Sequence, residues 1–273
     1  MLDMTTSRRQ VRAFLLVYYE KYRASAEQEF RSFLDELGAD YELMVINNNF
    51  GTTSKCASDI SGDNRNREFT GWDVGISSVE KIDAGQFYIF ANDTFSEHRP
   101  WHGSYRDRFL VAFRRALPIS GSVITGEIDA VWTPFSIAGK RTDRWVSTYL
   151  FGMSGDALLA LGSRLSLSED ALRSMVHSVS GVKIYWGPEV DRSLQQHLER
   201  WLFPPDGRLG WYNSGQGDDR SNLGKLRCIL NEKYISAAVK ANGGKLINLP
   251  AGSIKMLISQ SVKNVLRVFL NRK

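Results

Sequence analysis

Apolar residues fall in three short runs within the first part of the chain, and each run ends in polar residues. Val11 to Tyr19 (VRAFLLVYY) is apolar, aromatic and β-branched, the pattern of a buried strand. Ala26, Phe30, Phe33, Leu34 and Leu37 recur at helical spacing between Ser25 and Gly38, which predicts a helix over Ser25 to Leu37 with Ser25 as cap. A second apolar strand, Tyr41 to Ile46, runs into Asn47-Asn48-Asn49. Strand, helix and strand in this span form a βαβ unit, hence a largely parallel sheet and a right-handed crossover. The carboxyl ends of both strands then share the edge at which open α/β sheets bind ligands, which places Tyr18, Tyr19, Glu20 and Asn47 to Asn49 near a pocket.

Phe50 to Arg67 is polar and reads as a loop leading to a helix that begins near Gly71. The third strand, Gln86 to Ala91 (QFYIFA), stops at Asn92-Asp93-Thr94. Ser104 to Leu117 is a basic amphipathic helix, followed by strands at Val123 to Val131 and Trp145 to Met153 and helices at Ser154 to Leu161 and Ser168 to Val179. A strand at Val182 to Trp186, a helix at Val190 to Phe203, a loop or lid at Pro204 to Leu223, a helix at Lys225 to Ala241 and a strand at Lys245 to Leu249 complete the pattern. No repeat or sharp boundary divides the chain. The expected architecture is α/β, a Rossmann-like, mostly parallel central sheet flanked by helices, in a single domain over residues 1–252.

Composition narrows the function. With 42% apolar and 24% charged residues in 273, the chain belongs with ordered globular proteins rather than disordered or fibrous ones. No stretch approaches the roughly 18 consecutive apolar residues of a spanning helix, and the polar start at Met1 to Gln10 is unlike a signal peptide, so a cytoplasmic location is expected. Cys56 and Cys228 stand far apart, as ordinary thiols. The net charge of +5 is mild, but five of the basic residues and no acidic one fall in Ile254 to Lys273. There Ile254, Leu257, Ile258, Val262, Val265, Leu266 and Phe269 keep helical spacing, a basic amphipathic helix over 253–273 that either lies on an anionic membrane surface or packs on the domain. Nucleic acid is not an expected partner, because the basic residues are neither interleaved with aromatics nor joined to a binding motif.

Asn64 to Gly75 combines arginines with a glycine-bearing helix start, which is what a diphosphate requires, although a solvated polar loop has the same look. Asp93, at the carboxyl end of the third strand, is either a ligand for a divalent cation or part of an Asx turn. His98, Arg99, Trp101 and His102 are candidates to line a sugar or phosphate site. Glu189, Asp191 and Glu232 sit at or near helix starts, where a general base could be held but where the helix dipole also favours a carboxylate. No Ser-His-Asp, Gly-x-Ser-x-Gly, Walker or complete Gly-x-Gly-x-x-Gly pattern is present, which counts against hydrolase, kinase and dehydrogenase readings.

Taken in order, VRAFLLVYY, YELMVINNN, NREFTGWDVGI, QFYIFANDTF, WVSTYLFGMSGDAL, ERWLFPPDGRLGWYNSGQ and KLRCILNEKYISAAVKANGGKLINLP resemble a bacterial glycosyltransferase of the GT-A fold. The resemblance spans most of Val11 to Pro250 and is to the enzymes that build O-antigen, lipopolysaccharide and capsular polysaccharides, including proteins related to rhamnan synthesis. It implies a donor half at about 11–120, an acceptor half at about 121–252, and transfer of a hexose or deoxyhexose from a nucleotide-sugar to a growing, lipid-linked glycan at the inner face of the plasma membrane. By the same resemblance Tyr18 and Asn47 to Asn49 lie by the nucleotide, and Arg67, Asp73 and Asn92 by the diphosphate or donor sugar. Asp93 holds Mn²⁺ or Mg²⁺, and Glu232, Glu189 or Asp191 activates the acceptor. Ala91 and Asn92 stand where an acidic residue would complete Asp-x-Asp. The alternatives are a nucleotidyltransferase and a non-catalytic nucleotide- or sugar-binding protein of the same fold.

Overall fold

A computed structural model describes residues 9–49, 59–97, 101–205 and 217–251. The tail at 253–273, Cys56, His98, Arg99, Trp211 and most of the expected lid therefore lie outside the described residues. The chain opens with β1 (Val11–Val17), α1 (Glu20–Leu37) and β2 (Tyr41–Asn47), then β3 (Ile60–Ser61), α2 (Glu68–Ser77), β4 (Phe87–Asn92) and α3 (Ser104–Ala116). It continues through β5 (Val123–Ile137), β6 (Lys140–Ser154), α4 (Gly155–Ala160), α5 (Glu169–Met175), β7 (Val176–Ser180) and β8 (Lys183–Trp186). The last elements are α6 (Arg192–Leu202), α7 (Asp219–Ala241) and β9 (Lys245–Asn248).

Seven strands form one sheet in the order β3-β2-β1-β4-β6-β5-β9, while β7 and β8 form a separate two-stranded sheet. The large sheet is mostly parallel, and only β6 runs against its neighbours β4 and β5. Strand β1 is apolar except for Arg12, which pairs with Glu42, because helices cover both of its faces. Ala13, Leu15 and Val17 meet Phe30 and Phe33 of α1 and Phe109 and Phe113 of α3. Phe14 and Leu16 meet Trp72 and Ile76 of α2 on the opposite face, in a layer that also holds Ile235 and Val239 of α7. This is the α/β sheet flanked by helices that the pattern predicts. Among the described residues no helix is long and apolar enough to cross a membrane.

Several boundaries differ for physical reasons. Helix α1 starts at Glu20 rather than Ser25, whose hydroxyl donates back to the Tyr22 carbonyl inside the helix. Helix α2 starts at Glu68, so Gly71 does not open it; Gly71 and Gly75 are interior positions pressed on the sheet. A Cβ at Gly71 would lie 2.3 Å from Leu16 Cδ1, and one at Gly75 2.5 Å from Ile46 Cδ1. The helix expected over Ser168 to Val179 ends at Met175, and Val176–Ser180 turns back through Gly181 to pair with β8. Strands β5 and β6 form a hairpin of fifteen residues a side, closed by Ala138 and Gly139 with φ of 48° and 69°, a turn whose twist suits the strands. Helix α7 begins at Asp219, capped by the Asp218 carboxylate on Ser221 N–H.

Candidate functional site

From β1 the chain reaches β2 through α1 on one face of the sheet, then returns through α2 on the other face to β4 on the far side of β1. The strand order thus reverses between β1 and β4, and the connections leave their carboxyl ends in opposite directions. A crevice at such a point is the general ligand site of open α/β sheets. A cleft of about 810 Å³ lies there, bounded by Leu16, Tyr18 and Tyr19 at the end of β1, Asn48 after β2, the turn from Asp63 to Glu68, Asn92 to Thr94 at the end of β4, Glu169 of α5, and the first turns of α7.

Asp93 is 2% exposed, and its Oδ2 accepts Tyr18 N–H at 2.7 Å and Tyr19 N–H at 2.5 Å. The carboxylate braces the loop that carries both tyrosines, whose rings stand edge to face at 4.9 Å and are exposed at the cleft. Asn92 Oδ1 accepts Thr94 N–H at 3.2 Å and the Thr94 hydroxyl at 2.9 Å, an Asx turn. The donor set is a poor match for a divalent cation. Besides Asp93, the carboxylates of the cleft face Arg65 (Asp63, 2.7 Å), Arg227 (Glu169, 2.8 Å) and the Cys228 thiol (Glu68, 3.0 Å). No three His, Cys, Asp or Glu residues gather as a metal site among the described residues.

Asn48 is 1% exposed and shapes the opposite wall. Its Nδ2 donates to Asn64 Oδ1 and to the Arg67 carbonyl, both at 3.0 Å, and its Oδ1 accepts Asn64 N–H at 3.0 Å. This clamp holds two non-glycine residues at positive φ, Asn64 at 48° and Arg67 at 53°. The Arg67 conformation (ψ −130°) costs on the order of 1–3 kcal/mol. Of the other two asparagines, Asn49 donates to the Tyr18 carbonyl at 2.8 Å, and Asn47 is buried and does not line the cleft, its Nδ2 without a hydrogen-bond partner among the described residues.

The cleft is bordered by five cations, Arg65, Arg67, Arg220, Lys225 and Arg227, against four carboxylates, Asp63, Glu68, Asp93 and Glu169. Arg65 and Arg227 are in ion pairs, which leaves Arg67, Arg220 and Lys225 with no carboxylate at ion-pair distance among the described residues. The Arg67 Nη2 reaches toward the Ser221 carbonyl at 3.4 Å. Burial alone would lower the Lys225 ammonium, but Cys228, Glu68 and Glu232 around it turn the shift upward.

Other expected site residues lie elsewhere. Asp73 is outside the cleft lining: its carboxylate accepts Leu165 N–H at 2.5 Å, Ser166 N–H at 3.2 Å and the Ser166 hydroxyl, fixing the segment after α4. Burial pushes it above its ordinary value, against those hydrogen bonds. Glu189 is exposed and Asp191 caps α6 through Leu194 N–H at 2.9 Å while its Oδ2 takes Ser136 N–H at 2.5 Å; neither lines the cleft. Glu232 also lies outside the lining but near it, within charge range of Lys225. It accepts Thr148 N–H at 3.2 Å and the Thr148 hydroxyl at 3.1 Å, and pairs with Lys233 at 3.1 Å. Trp101 is a core residue, packed against Phe33, Phe95 and Phe109, rather than part of a sugar or phosphate site; Trp145 is likewise buried, beneath the Lys233 ammonium at 3.3 Å from its ring centroid.

Sequence reading passed over a second group. Because β5 runs parallel to β4 and Gly126 is level with Phe90 across Phe151 of β6, the β5 residues after Gly126 lie toward the edge where the cleft lies. There Glu127 accepts the Tyr149 hydroxyl at 2.6 Å and Asp129 the Ser147 hydroxyl at 2.5 Å. Burial raises the Asp129 carboxyl, with Ser147 opposing. The signal was present as polar residues alternating in two otherwise apolar strands.

Comparison of the chain with protein-family models, curated proteins and solved structures returns no match. Fold and site define the chain as an α/β protein with a cationic cleft at the switch point of its central sheet.

Proposed function

We propose that this chain is a GT-A-like glycosyltransferase that moves a sugar from a nucleoside diphosphate donor to a hydroxyl of a growing, lipid-linked bacterial glycan. The observation that carries the reading is the cleft between β1 and β4. Three cations with no carboxylate at ion-pair distance among the described residues, Arg67, Arg220 and Lys225, line it together with two exposed tyrosines, one chemistry for a diphosphate and another for the flat face of a base or sugar. In the reaction the bond from the sugar's anomeric carbon to the diphosphate oxygen breaks as the acceptor oxygen bonds to that carbon. Negative charge grows on the leaving diphosphate, and fixed guanidinium and ammonium groups stabilise it. The acceptor proton passes to a carboxylate of the group Glu127, Asp129 and Glu232; a carboxyl raised by burial, as Asp129 is, is the stronger base.

The test is release of nucleoside diphosphate from a panel of nucleotide-sugars, together with protection against heat by the nucleoside diphosphates alone. Protection by one base and slow donor hydrolysis that an acceptor glycan accelerates are expected. A folded protein that no nucleoside diphosphate or nucleotide-sugar protects would refute the reading. A binding protein without turnover is the second reading, favoured by the engagement of every cleft carboxylate with a cation, a thiol or backbone N–H groups. Protection without release under any acceptor would select it.

A further inference from the structure

We propose that Arg67 and Lys225 together bind the diphosphate of the donor directly, so that binding needs no divalent cation; this rests on the glycosyltransferase reading of the cleft. The two side chains come from different parts of the chain and meet at one wall. Arg67 precedes α2 and reaches to α7, where a Cβ on Gly224 would stand 3.8 Å from its Nε. Lys225 is the next residue, and it borders the same cleft as Arg67. Neither has a carboxylate at ion-pair distance among the described residues. A guanidinium and an ammonium that border one open cleft from separate elements offer a dianionic group two charge-assisted contacts.

The backbone at Arg67 points the same way. Its φ of 53° would suit glycine, and the Asn48 clamp enforces it on an arginine, so the side chain rather than the main chain accounts for that residue. Asp93, the natural metal ligand by position, instead holds the Tyr18 and Tyr19 N–H groups. A cation would have to displace those bonds or share that carboxylate, where no three His, Cys, Asp or Glu residues gather among the described residues.

Inorganic pyrophosphate, titrated calorimetrically into the full chain in excess EDTA, tests this. Binding is expected in EDTA, and replacing EDTA with Mn²⁺ should not tighten it. Arg67→Gly relieves the backbone and should melt no lower than the wild type, yet weaken pyrophosphate at least about tenfold, a change of about 1.4 kcal/mol. Lys225→Met should weaken it similarly, and its melting curve shows whether it is folded. A merely structural role for Arg67 predicts the opposite pairing, altered melting with unchanged affinity. Pyrophosphate or nucleoside diphosphate binding that appears only with Mn²⁺, or wild-type affinity in Arg67→Gly, overturns the proposal while leaving the transferase reading intact. Failure of pyrophosphate and all nucleoside diphosphates to bind in either condition overturns both.

Discussion

Asn48→Asp isolates what the clamp on the cleft wall contributes. The substitution conserves volume, so no cavity is created, and the retained Oδ1 can still accept Asn64 N–H. What changes is the Nδ2 group: its two donor bonds, at 3.0 Å to Asn64 Oδ1 and 3.0 Å to the Arg67 carbonyl, become oxygen facing oxygen. Each buried acceptor left without a donor costs about 1–3 kcal/mol, and the new carboxylate is itself buried, so a loss of about 3–5 kcal/mol at pH 7 is expected. Protonation restores one donor, which raises the folded-state pKa of the new carboxyl above its unfolded value of about 3.9. The penalty is therefore smallest below that value, grows as pH rises through it, and levels off above the folded pKa. Urea denaturation at pH 4 and pH 7 measures both quantities. Wild-type stability for Asn48→Asp at pH 7, to within about 0.5 kcal/mol, would refute the clamp, and a penalty independent of pH would refute its charge origin.

Other expectations follow from single contacts. Gly155→Ala places a Cβ 1.9 Å from the Asp83 carbonyl oxygen and should cost more than Gly71→Ala, whose clash at 2.3 Å is with a leucine methyl. Both should exceed Gly38→Ala, which has open space and only its φ of 72° to resist, about 1–2 kcal/mol. Denaturant midpoints in any other order would contradict the packing described. Asp73→Asn should lose about 1–3 kcal/mol of stability and leave pyrophosphate affinity within about twofold, because that carboxylate bonds Leu165 and Ser166 rather than the cleft. A tenfold loss of affinity would put it back in the site. Its raised pKa means that the native state keeps the proton longer than the unfolded chain, so its ionisation lowers stability as pH climbs through 3.8 toward the folded value. Trp132→Ser, at a fully exposed ring, should shift the melting midpoint negligibly, and a fall of several degrees would show that the ring is packed.

The sheet was legible in the chain because its central strands β1 and β4 are buried on both faces: the largely apolar runs VRAFLLV and FYIFAN have few other solutions in water. The edge that carries the cleft was legible for the same reason, since a βαβ pattern fixes where its polar strand ends point. What periodicity did not reveal was which polar atoms turn inward. Asp93 and Asp73 look like ligands in the sequence, and each instead satisfies backbone N–H groups that their neighbours leave without partners. Lys225 and Arg227 look like the exposed side of a helix that holds both polar and apolar residues in its core-facing turns, and their place in the cleft depends on α7 crossing the sheet beside α2. The hairpin's outer half escaped notice because Thr133-Pro134 interrupts β5 and its register with β6 shifts between Ala130 and Phe135.

Strand β6, the one antiparallel member, also sets an order of assembly. It joins β4 to β5, so β4 has a bare edge until the chain beyond Lys140 arrives, although β1, β2 and β4 are made long before. The β5–β6 hairpin forms locally and fast, whereas β1 must find β4 across a loop that pairs Val11 with Phe87. During synthesis β1, β2 and β4 therefore wait with an apolar β4 edge open to any other strand. A chain halted after Ala116 should sediment as aggregate, while one extended through Ser154 should remain in the supernatant, and equal solubility of the two would show that β6 is not what closes the sheet.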